Sequence, residues 1–353
     1  MITRALSKAS RVWLAVTGVL LAVGVATLFA PGPRPGGRTG LPSAFDLQGH
    51  RGARGLYPEN SLPGFEAALA LGVTTLEMDV GMTADGVLVV HHDRRLDPER
   101  TRGPGGAWLD PPTPALFALD FAELAAYDIG RPRPGGKVAA RFPAQRPLDG
   151  VRIPALAEVL ARAEARSGGT VRYNVEIKTS PLAPDETAPP AALAEALVAA
   201  LAEAGVTERA QIQSFDWRAL RRVQEIAPGV ATVYLSAERS WLDNLERGRP
   251  GVSPWTAGLD VDAFDGSAAR AVKAAGGRVW SPYFRDLRGA DLREAHGLGL
   301  RVVVWTVNEP ADMASLIDLG VDGIITDYPD RLRAVMAGKA MPLPPGFGPA
   351  PGG

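Results

Sequence analysis

The sequence of 353 residues contains no cysteine. Disulfide bonds, zinc–thiolate sites, iron–sulfur clusters and thiol nucleophiles are therefore excluded, and any metal must be held by oxygen or imidazole ligands. The sequence also lacks an excess of charge of either sign, because 38 lysines and arginines nearly balance 39 aspartates and glutamates. Without a strong field of one sign, nucleic acid is not expected as a partner, and a small molecule is favoured.

Acidic residues are missing from the amino terminus as far as Asp46. An uncharged run of 19 residues, Val12 to Ala30, follows three basic residues, Arg4, Lys8 and Arg11. A cleavable signal has an apolar core of about 7 to 15 residues, and a helix that spans a bilayer needs about 20. This run is longer than the first and close to the second. Residues 1–30 are therefore predicted to be a signal peptide or a signal-anchor transmembrane helix, with retention over residues 12–30 favoured. We expect an exported chain in the periplasm or another extracytoplasmic space, whose only contact with the inner membrane is this segment.

The rest of the sequence indicates one barrel domain. Proline and glycine mark residues 31–43 as a linker and residues 339–353 as a disordered tail. Over residues 44–338, short β-rich runs alternate with amphipathic helical stretches, which is typical of parallel βαβ units and predicts an α/β fold, a TIM-type (β/α)8 barrel. Nine runs are strand candidates, so one of them must lie outside an eight-stranded barrel: Phe45 to Gly49, Thr75 to Val80, Val87 to His91, Arg172 to Ile177, Ala210 to Ser214, Ala231 to Leu235, Arg278 to Ser281, Arg301 to Thr306 and Asp322 to Thr326.

A long segment after the third run, about residues 94–150, interrupts this alternation. It is rich in proline, glycine and arginine, with one helical patch predicted from Phe117 to Tyr127. The usual connection between a strand and a helix in such folds has about 2 to 6 residues, so we interpret the segment as an insertion, with a functional role favoured over decoration. Before it, a helix is predicted from Ser61, as N-cap, to Leu71, with Gly72 as its stop.

Three of the four histidines follow the ends of strand candidates, and in a barrel those ends form the catalytic face. His50 and Arg51 lie between Gly49 and Gly52, glycines that are expected to let a ligand approach the backbone closely. An arginine offers a planar fork of donors that matches the oxygens of a phosphate. A simple turn with a solvated arginine fits this short stretch equally well.

The second strand candidate carries Glu77 and Asp79, and residues two apart on a strand project from the same face. If that face is the barrel interior, the repulsion of the two carboxylates favours a bound cation or a protonated member. At the end of another run, Glu176 and Lys178 share a face in the same way. An exposed edge strand is the alternative for Glu77 and Asp79.

The third run ends in His91, His92 and Asp93. Strand alternation indicates only that one of the two histidines faces inward. Asp93 either orients a histidine or caps the loop. The carboxylates of the neighbouring runs supply three oxygen donors, which suit Ca²⁺ or Mg²⁺ better than zinc, and the nearby basic side chains make an anion site. A phosphate ester is the natural occupant of such a site.

Eight short motifs, in order from about Gln48 to Leu332, resemble those of the glycerophosphodiester phosphodiesterase family. Two stretches of the insertion, Tyr127 to Arg131 and Gln145 to Pro154, resemble exported bacterial members. The eight motifs are His50-Arg51-Gly52-Ala53, Pro58-Glu59-Asn60-Ser61, Glu77-Met78-Asp79-Val80, His92-Asp93, Val175-Glu176-Ile177-Lys178, Ser214-Phe215-Asp216, Trp305-Thr306-Val307-Asn308 and Asp322-Gly323-Ile324-Ile325-Thr326-Asp327-Tyr328-Pro329.

The resemblance implies metal-dependent hydrolysis of glycerophosphodiesters to sn-glycerol 3-phosphate and an alcohol on a TIM barrel. It favours His92 over His91 for the second histidine. Two other functions stay open, a related phosphodiesterase that cleaves lysophospholipids and a non-catalytic protein that binds glycerol phosphates. The implied roles are His50 and His92 as the acid–base pair, Glu77, Asp79 and Glu176 as ligands of one divalent cation, Ca²⁺ or Mg²⁺, Arg51 and Lys178 as phosphate ligands, and Phe215 and Trp305 as walls of the alcohol pocket.

Overall fold

The structure, a computed structural model, describes residues 44–349. The predicted signal or anchor segment, the linker before residue 44 and the last four residues of the predicted tail lie outside this range. Within residues 44–349, no helix has the length and apolar character needed to cross a membrane.

Eight parallel strands close into a barrel, which confirms the predicted TIM-type fold. Strand β1 pairs with both β2 and β11, and these two pairings close the ring. The order around the barrel is β1, β2, β4, β5, β6, β9, β10 and β11. The strands are β1 (Asp46–Gly49), β2 (Thr75–Met82), β3 (Leu88–Val90), β4 (Arg172–Ile177), β5 (Ala210–Ser214), β6 (Ala231–Ser236), β7 (Glu238–Arg239), β8 (Leu242–Asp243), β9 (Val279–Pro282), β10 (Arg301–Val304) and β11 (Gly323–Thr326).

The third strand candidate is the one that lies outside the barrel. Strand β3 pairs antiparallel with β2, with Val80 opposite Val90, and forms a hairpin on the outside of the ring. The expectation that the histidines after this run stand at the end of a barrel strand was therefore wrong. His91 and His92 follow this hairpin strand instead of a barrel strand.

Helices cover the outside of the barrel. The predicted N-cap is confirmed, because the hydroxyl of Ser61 accepts a hydrogen bond of 3.1 Å from Gly64 N, and α1 ends at Gly72, whose φ is 90°. The helices are α1 (Leu62–Leu71), α2 (Phe121–Leu124), α3 (Lys137–Arg141), α4 (Leu156–Ser167), α5 (Pro190–Glu203), α6 (Trp217–Ile226), α7 (Ala268–Ala274), α8 (Gly289–Gly297), α9 (Pro310–Leu319) and α10 (Pro329–Gly338).

The interior of the barrel is polar on one half and apolar on the other. On the polar half, Asn174 Nδ2 donates to Gln48 Oε1 (2.8 Å) and Gln213 Oε1 (2.9 Å), and Gln213 Nε2 donates to Glu77 Oε1 (2.7 Å). Buried amides are normally hydrogen-bonded, and this chain of bonds gives partners to the amide nitrogens of Asn174 and Gln213, whereas Asn174 Oδ1 has none among the described residues. On the other half, a small apolar cluster packs against Trp305 and consists of Val233, Val279, Val303 and Ile325.

The insertion over about residues 94–150 has a small apolar core of its own. The predicted helical patch is broken, with a 3₁₀ turn at Leu116–Ala118 followed by the short helix α2. The insertion is tied to the loop after β1, because Gln145 Nε2 donates to Arg54 O (2.7 Å) and Arg146 N donates to Leu56 O (2.8 Å). The core consists of Val89, Leu96, Leu116, Leu124, Ile129 and Ile153.

The structure differs from the prediction of a disordered tail over residues 339–349. Phe347 N donates to Leu69 O (2.8 Å), and Arg333 Nη1 donates to Pro344 O (2.6 Å). Arg166 Nε donates to Phe347 O at 2.9 Å. These bonds replace the contacts with water that a proline- and glycine-rich segment would otherwise keep, and they hold the segment against the first and fourth helices.

Candidate active site

A cavity of about 640 Å³ opens at the carboxyl ends of the barrel strands. Eight of the nine predicted site residues line it, and the ninth, Asp79, is fully buried beside the other carboxylates. The geometry therefore brings together the residues that the sequence analysis selected from separate strands. The lining includes His50, Arg51, Glu77, His92, Glu176, Lys178, Phe215 and Trp305.

Glu77, Asp79 and Glu176 form a buried cluster in which one carboxylate oxygen of each lies within 4.8 Å of the others. The parallel register of β2 and β4 places Asp79 directly beside Glu176. Burial, followed by the charges of Asp79 and Glu176, raises the pKa of Glu77 well above its ordinary value. Burial and the Asp79 charge also raise the pKa of Glu176, to about 7, although Lys178 opposes this shift.

The donor set of this cluster fits a hard divalent cation. Asp79 Oδ1 is buried and has no hydrogen-bond partner among the described residues, although Lys178 Nζ lies 3.7 Å away. Lys178 Nζ is bonded to Glu176 Oε1 at 2.6 Å and so supplies a single positive charge beside three carboxylates. Three carboxylate groups without a thiolate or an imidazole among them suit Ca²⁺ or Mg²⁺. The buried acidic cluster could thus hold such an ion.

Arg51 is held among carboxylates by its backbone and by its side chain. Its backbone N–H donates to Glu77 Oε2 (2.8 Å), its Nη1 donates to Glu59 Oε1 (2.7 Å), and its Nε lies 3.1 Å from Asp79 Oδ2. Burial by itself favours the neutral form of Arg51, but the charges of Glu59 and Asp79 outweigh it and raise the pKa of the guanidinium. Arg51 therefore stays charged at the edge of the acidic cluster.

The glycines around His50 and Arg51 are required by chain packing. A Cβ atom at Gly49 would lie 2.3 Å from Gly52 O, and one at Gly52 would lie 2.6 Å from the carbonyl carbon of Gly64. Gly52 also has φ of 88°, in the region that favours glycine. The loop after β1 can therefore pack against α1 only without side chains at these positions.

His50 and Asp327 form a buried pair at the junction of β1 and β11. His50 Nδ1 donates to Asp327 Oδ1 at 2.6 Å, and Asp327 is fully buried. The same carboxylate accepts hydrogen bonds from Arg54 Nε (2.7 Å) and Asn308 Nδ2 (2.7 Å). Burial and the charge of Arg54 lower the pKa of His50 to about 4, against the opposing effect of Asp327. Because Nδ1 is occupied, Nε2 is the nitrogen of His50 that remains for proton transfer.

His92 repeats this arrangement after β3, the hairpin strand that pairs with β2. Its Nδ1 donates to Asp93 Oδ1 at 2.7 Å, and Asp93 Oδ2 accepts a bond of 2.7 Å from Arg100 Nη2. Of the two readings of Asp93, the structure thus supports the one in which it orients a histidine. His92 lines the cavity, whereas His91 is buried on the other side, outside the cavity lining. Burial and the charges of Arg51 and Lys178 lower the pKa of His92 to about 4.

Aromatic side chains form one wall of the cavity. Phe215 and Trp305 meet edge to face with ring centroids 5.3 Å apart, and Trp241 meets Trp305 at 6.0 Å. Trp241 belongs to the connection between β7 and β8 and is 59% exposed. The cavity therefore has a charged side and an apolar side, which suits a ligand with the same division.

The sequence model of the glycerophosphoryl diester phosphodiesterase family matches residues 50–331. The chain belongs to this family. The match includes every predicted site residue, from His50 to Trp305. Membership makes the chain a phosphoric diester hydrolase with glycerophosphodiester phosphodiesterase activity, and its substrate is a small glycerophosphodiester. It counts against the non-catalytic binding protein that was considered above.

Individual members of the glycerophosphoryl diester phosphodiesterase family cover most of the chain. A glycerophosphodiester phosphodiesterase of Caldanaerobacter subterraneus is 30% identical over 286 residues, which are 80% of this chain and 94% of that protein. One from Bacillus subtilis is 28% identical over 297 residues, which are 82% and 85% of the two chains. A solved structure from Silicibacter pomeroyi is 36% identical with a TM-score of 0.76 and covers 86% of this chain and 97% of that one.

A more distant structure, an Oleispira antarctica phosphodiesterase in complex with the product sn-glycerol-3-phosphate, shares the fold of the family. It has a TM-score of 0.60 at 19% identity and covers 83% of this chain and 96% of that one.

No role was predicted from the sequence for Arg54, Glu59, Arg100 or Asp327, although Glu59 and Asp327 lie in motifs quoted above. One feature could have revealed Asp327, since it follows the ninth run in the same way that His50 follows the first. The other three have no such signal. Glu59 bonds with Arg51, Arg54 and Arg100, and only the fold shows that these groups meet.

Proposed function

We propose that the chain hydrolyses glycerophosphodiesters to sn-glycerol 3-phosphate and an alcohol in a reaction that requires one divalent cation, Ca²⁺ or Mg²⁺. The proposal rests on one cavity, which is lined by two histidines that are each hydrogen-bonded through Nδ1 to an aspartate. A buried cluster of three further carboxylates lies at the same cavity. Glu77, Asp79 and Glu176 are the proposed ligands of the cation. When bound, such a cation neutralises charge on the phosphoryl oxygens.

Arg51 and Lys178 are the proposed ligands of the phosphate group. Both line the cavity at the edge of the acidic cluster, and both stay charged because carboxylates surround them. A guanidinium and an ammonium fixed in a buried site stabilise negative charge that develops on phosphoryl oxygens more strongly than water does. Their hydrogen bonds to Glu59 and Glu176 fix them before the substrate arrives.

His50 and His92 are the proposed general acid and base. One takes a proton from the attacking oxygen through Nε2, and the other gives a proton to the oxygen of the leaving alcohol as the P–O bond breaks. Asp327 and Asp93 hold the two imidazoles in the tautomer that this role needs. The lowered pKa values of His50 and His92 leave both imidazoles mainly neutral at pH 7 without substrate. The negative charge of a bound phosphodiester favours protonation of one of them.

Phe215 and Trp305 are the proposed walls of the alcohol pocket. Their rings stand edge to face on the apolar side of the cavity, across from the charged loop after β1. Aromatic rings in such a position exclude water from the reacting bond and hold the carbon atoms of an alcohol.

The proposal is tested by release of sn-glycerol 3-phosphate from glycerophosphocholine, with and without a chelator, for the wild type and for His50→Ala, His92→Ala and Glu176→Ala. We expect that chelation abolishes turnover, that restoring Ca²⁺ or Mg²⁺ recovers it, and that each variant loses at least about a hundredfold in kcat. His296→Ala is the matched control, because His296 lies far from the cavity lining and pairs with Asp322.

Each part of the proposal has its own contrary result. Turnover that a chelator leaves unchanged would remove the cation, and activity that survives in both histidine variants would remove the acid–base scheme. Cleavage of lysophospholipids alone, with glycerophosphocholine untouched, would assign the chain to the related class of lipid phosphodiesterases.

Residues 1–30 are proposed to direct export and residues 12–30 to anchor the chain in the inner membrane, as the uncharged run and its basic flank indicate. Cell fractionation combined with amino-terminal sequencing tests this. An intact amino terminus in the membrane fraction supports an anchor, a shortened one in the periplasm supports cleavage, and a cytoplasmic chain contradicts export.

A further inference from the structure

Five basic side chains line the catalytic cavity: Arg51, Arg54, Arg94, Arg141 and Lys178. Four of them have a carboxylate oxygen within 2.8 Å, which offsets their charge. The pairs are Arg51 with Glu59 (2.7 Å), Arg54 with Asp327 (2.7 Å), Arg94 with Glu186 (2.8 Å) and Lys178 with Glu176 (2.6 Å). The exception is Arg141.

Arg141 lines the cavity without forming an ion pair with any residue between 44 and 349. Its guanidinium lies against the ring of Phe142, with Cζ 5.3 Å from the ring centroid. The residue is exposed, so a ligand that enters the cavity can reach it. Among the basic side chains of the cavity it is thus the one without a carboxylate in ion-pair contact, and the charges of Asp327 and Glu59 act on it only from a greater distance.

A second guanidinium shares the ring of Phe142. Arg54 Cζ lies 4.8 Å from the centroid of this buried ring, while its charge is taken up by Asp327. Partial burial, followed by the charge of Arg54, lowers the pKa of Arg141. The charged form of Arg141 is therefore less favourable at this place than in water, and a nearby anion would relieve that cost.

The position of Arg141 relative to the catalytic loop is fixed by the insertion. Arg141 ends the short helix α3, and the chain that follows bonds to the loop after β1 through Gln145 Nε2 and Arg146 N. That loop carries His50 and Arg51. Arg141 therefore stands on the His50 side of the cavity, across from the aromatic wall, and it is the insertion that brings it there.

We infer that Arg141 is a substrate-binding residue that holds an anionic oxygen of the bound glycerophosphodiester. The inference rests on the proposed function and extends it by giving the insertion a part in substrate recognition. A guanidinium presents a planar fork of donors to such oxygens, and it gains most where no carboxylate already occupies it. The oxygen belongs either to the scissile phosphate or to an acidic group on the alcohol.

The test compares the wild type with Arg141→Gln, Arg141→Lys and Lys137→Gln. Lys137 is the matched control, since it lies on the same helix, loses the same charge and does not line the cavity. Steady-state kinetics are measured with glycerophosphocholine, glycerophosphoglycerol and glycerophosphoserine. For Arg141→Gln we expect KM to rise on the order of tenfold with kcat within about threefold, partial recovery in Arg141→Lys and no change in Lys137→Gln. Thermal unfolding of Arg141→Gln is expected to match the wild type, because no ion pair is lost.

The pattern across substrates identifies the anion. An equal rise in KM for all three substrates supports a contact with the scissile phosphate, and a larger rise for glycerophosphoserine supports a contact with the acid of the alcohol. Kinetics of Arg141→Gln that equal those of the wild type on every substrate would overturn the inference.

A separate measurement keeps this inference apart from the proposed function. If the wild type cleaves none of the substrates, the proposed function fails, and calorimetric binding of sn-glycerol 3-phosphate still decides the role of Arg141. Binding on the order of tenfold weaker in Arg141→Gln than in Lys137→Gln supports the contact, and equal binding contradicts it.

Discussion

His50 and Asp327 are 277 residues apart in the sequence, and their side chains meet at 2.6 Å. They meet because β1 and β11 are neighbours in the ring, with Gly49 beside Thr326, so that the residues after the two strands emerge together. Closure of the barrel thus assembles the pair, and Arg54 donates hydrogen bonds to both carboxylate oxygens of Asp327. The reactivity of His50 therefore depends on a contact between the two ends of the domain.

Replacement of Asp327 by asparagine is expected to lower kcat by about 10² to 10⁴, with a much smaller effect on KM. An amide at this position no longer stabilises a protonated imidazole or fixes the tautomer that exposes Nε2. The measurement is steady-state hydrolysis of glycerophosphocholine. Circular dichroism accompanies it, because Arg54 loses the nearer of its two carboxylate partners in the same variant.

Asp318→Asn is the control for this variant, since Asp318 is an exposed partner of Lys339 on the barrel surface. It should leave kcat unchanged. A kcat for folded Asp327→Asn within about threefold of the wild type would show that Asp327 does not position His50.

Replacement of Glu59 by glutamine is expected to destabilise the fold by about 3 to 5 kcal/mol at pH 7. Glu59 is buried and forms ion pairs with Arg51, Arg54 and Arg100, so its loss removes a buried negative charge that three guanidinium groups share. The measurement is the free energy of unfolding in urea. Glu309→Gln is the control, because Glu309 is 71% exposed and should shift the free energy by less than about 0.5 kcal/mol.

The stability that Glu59 contributes, relative to Glu59→Gln, should depend on pH. Burial favours the protonated form of Glu59, but the charges of Arg100 and Arg51 outweigh it and lower the pKa below the ordinary value. A lowered pKa in the folded state stabilises the fold above the unfolded pKa of about 4.3, and this contribution is lost as the pH falls. The difference in unfolding free energy between wild type and Glu59→Gln should therefore be constant from pH 6 to 7 and shrink below about pH 4. A difference that grows on acidification would contradict this assignment.

Much of the barrel could be predicted because its signals are local. Alternation places Glu77 and Asp79 on one face and leaves Leu76, Met78 and Val80 in the outer core, which the structure confirms. The prediction failed for β3, which lies outside the barrel. A buried apolar run looks the same in parallel and antiparallel strands, but the five residues between Met82 and Leu88 are too few for the helix that a parallel crossover needs.

The residues that support the site could not be predicted in the same way. Glu59 and Arg100 take part through contacts made when the insertion folds over the loop after β1, and no periodic pattern encodes such contacts. The choice of His92 over His91 likewise depends on how the chain turns after β3, where only His92 lines the cavity. These arrangements are decided by tertiary packing, which a single sequence does not display.

Replacement of Gly52 by alanine is expected to destabilise the fold and to abolish activity together. The new Cβ would lie 2.6 Å from the carbonyl carbon and 2.7 Å from the carbonyl oxygen of Gly64, and φ of 88° is strained for alanine. Arg51 and His50 would shift with the loop. Thermal unfolding and kcat measure the two effects, and Gly86→Ala is the control for strain alone, because its φ is 82° and no atom lies within 4 Å of its Cβ position. If Gly52→Ala and Gly86→Ala change thermal unfolding and kcat equally, crowding at Gly52 is unimportant.

The affinity for Ca²⁺ or Mg²⁺ is expected to fall as the pH falls through 7. Burial and the Asp79 charge raise the pKa of Glu176 to about 7, and the pKa of Glu77 is also raised, so protons compete with the cation for the same oxygens. Below the raised pKa, each competing proton weakens binding by about tenfold per pH unit, and above it the affinity levels off. Calorimetric titration with each cation between pH 5.5 and 8.5 measures the slope of the logarithm of the affinity against pH. Glu176→Gln cannot take up that proton, so it should bind the cation more weakly, and its slope should be smaller by one. A dissociation constant that is the same at pH 6 and pH 8 would place the cation away from Glu176 and Glu77, because no other carboxylate of the cluster has a raised pKa.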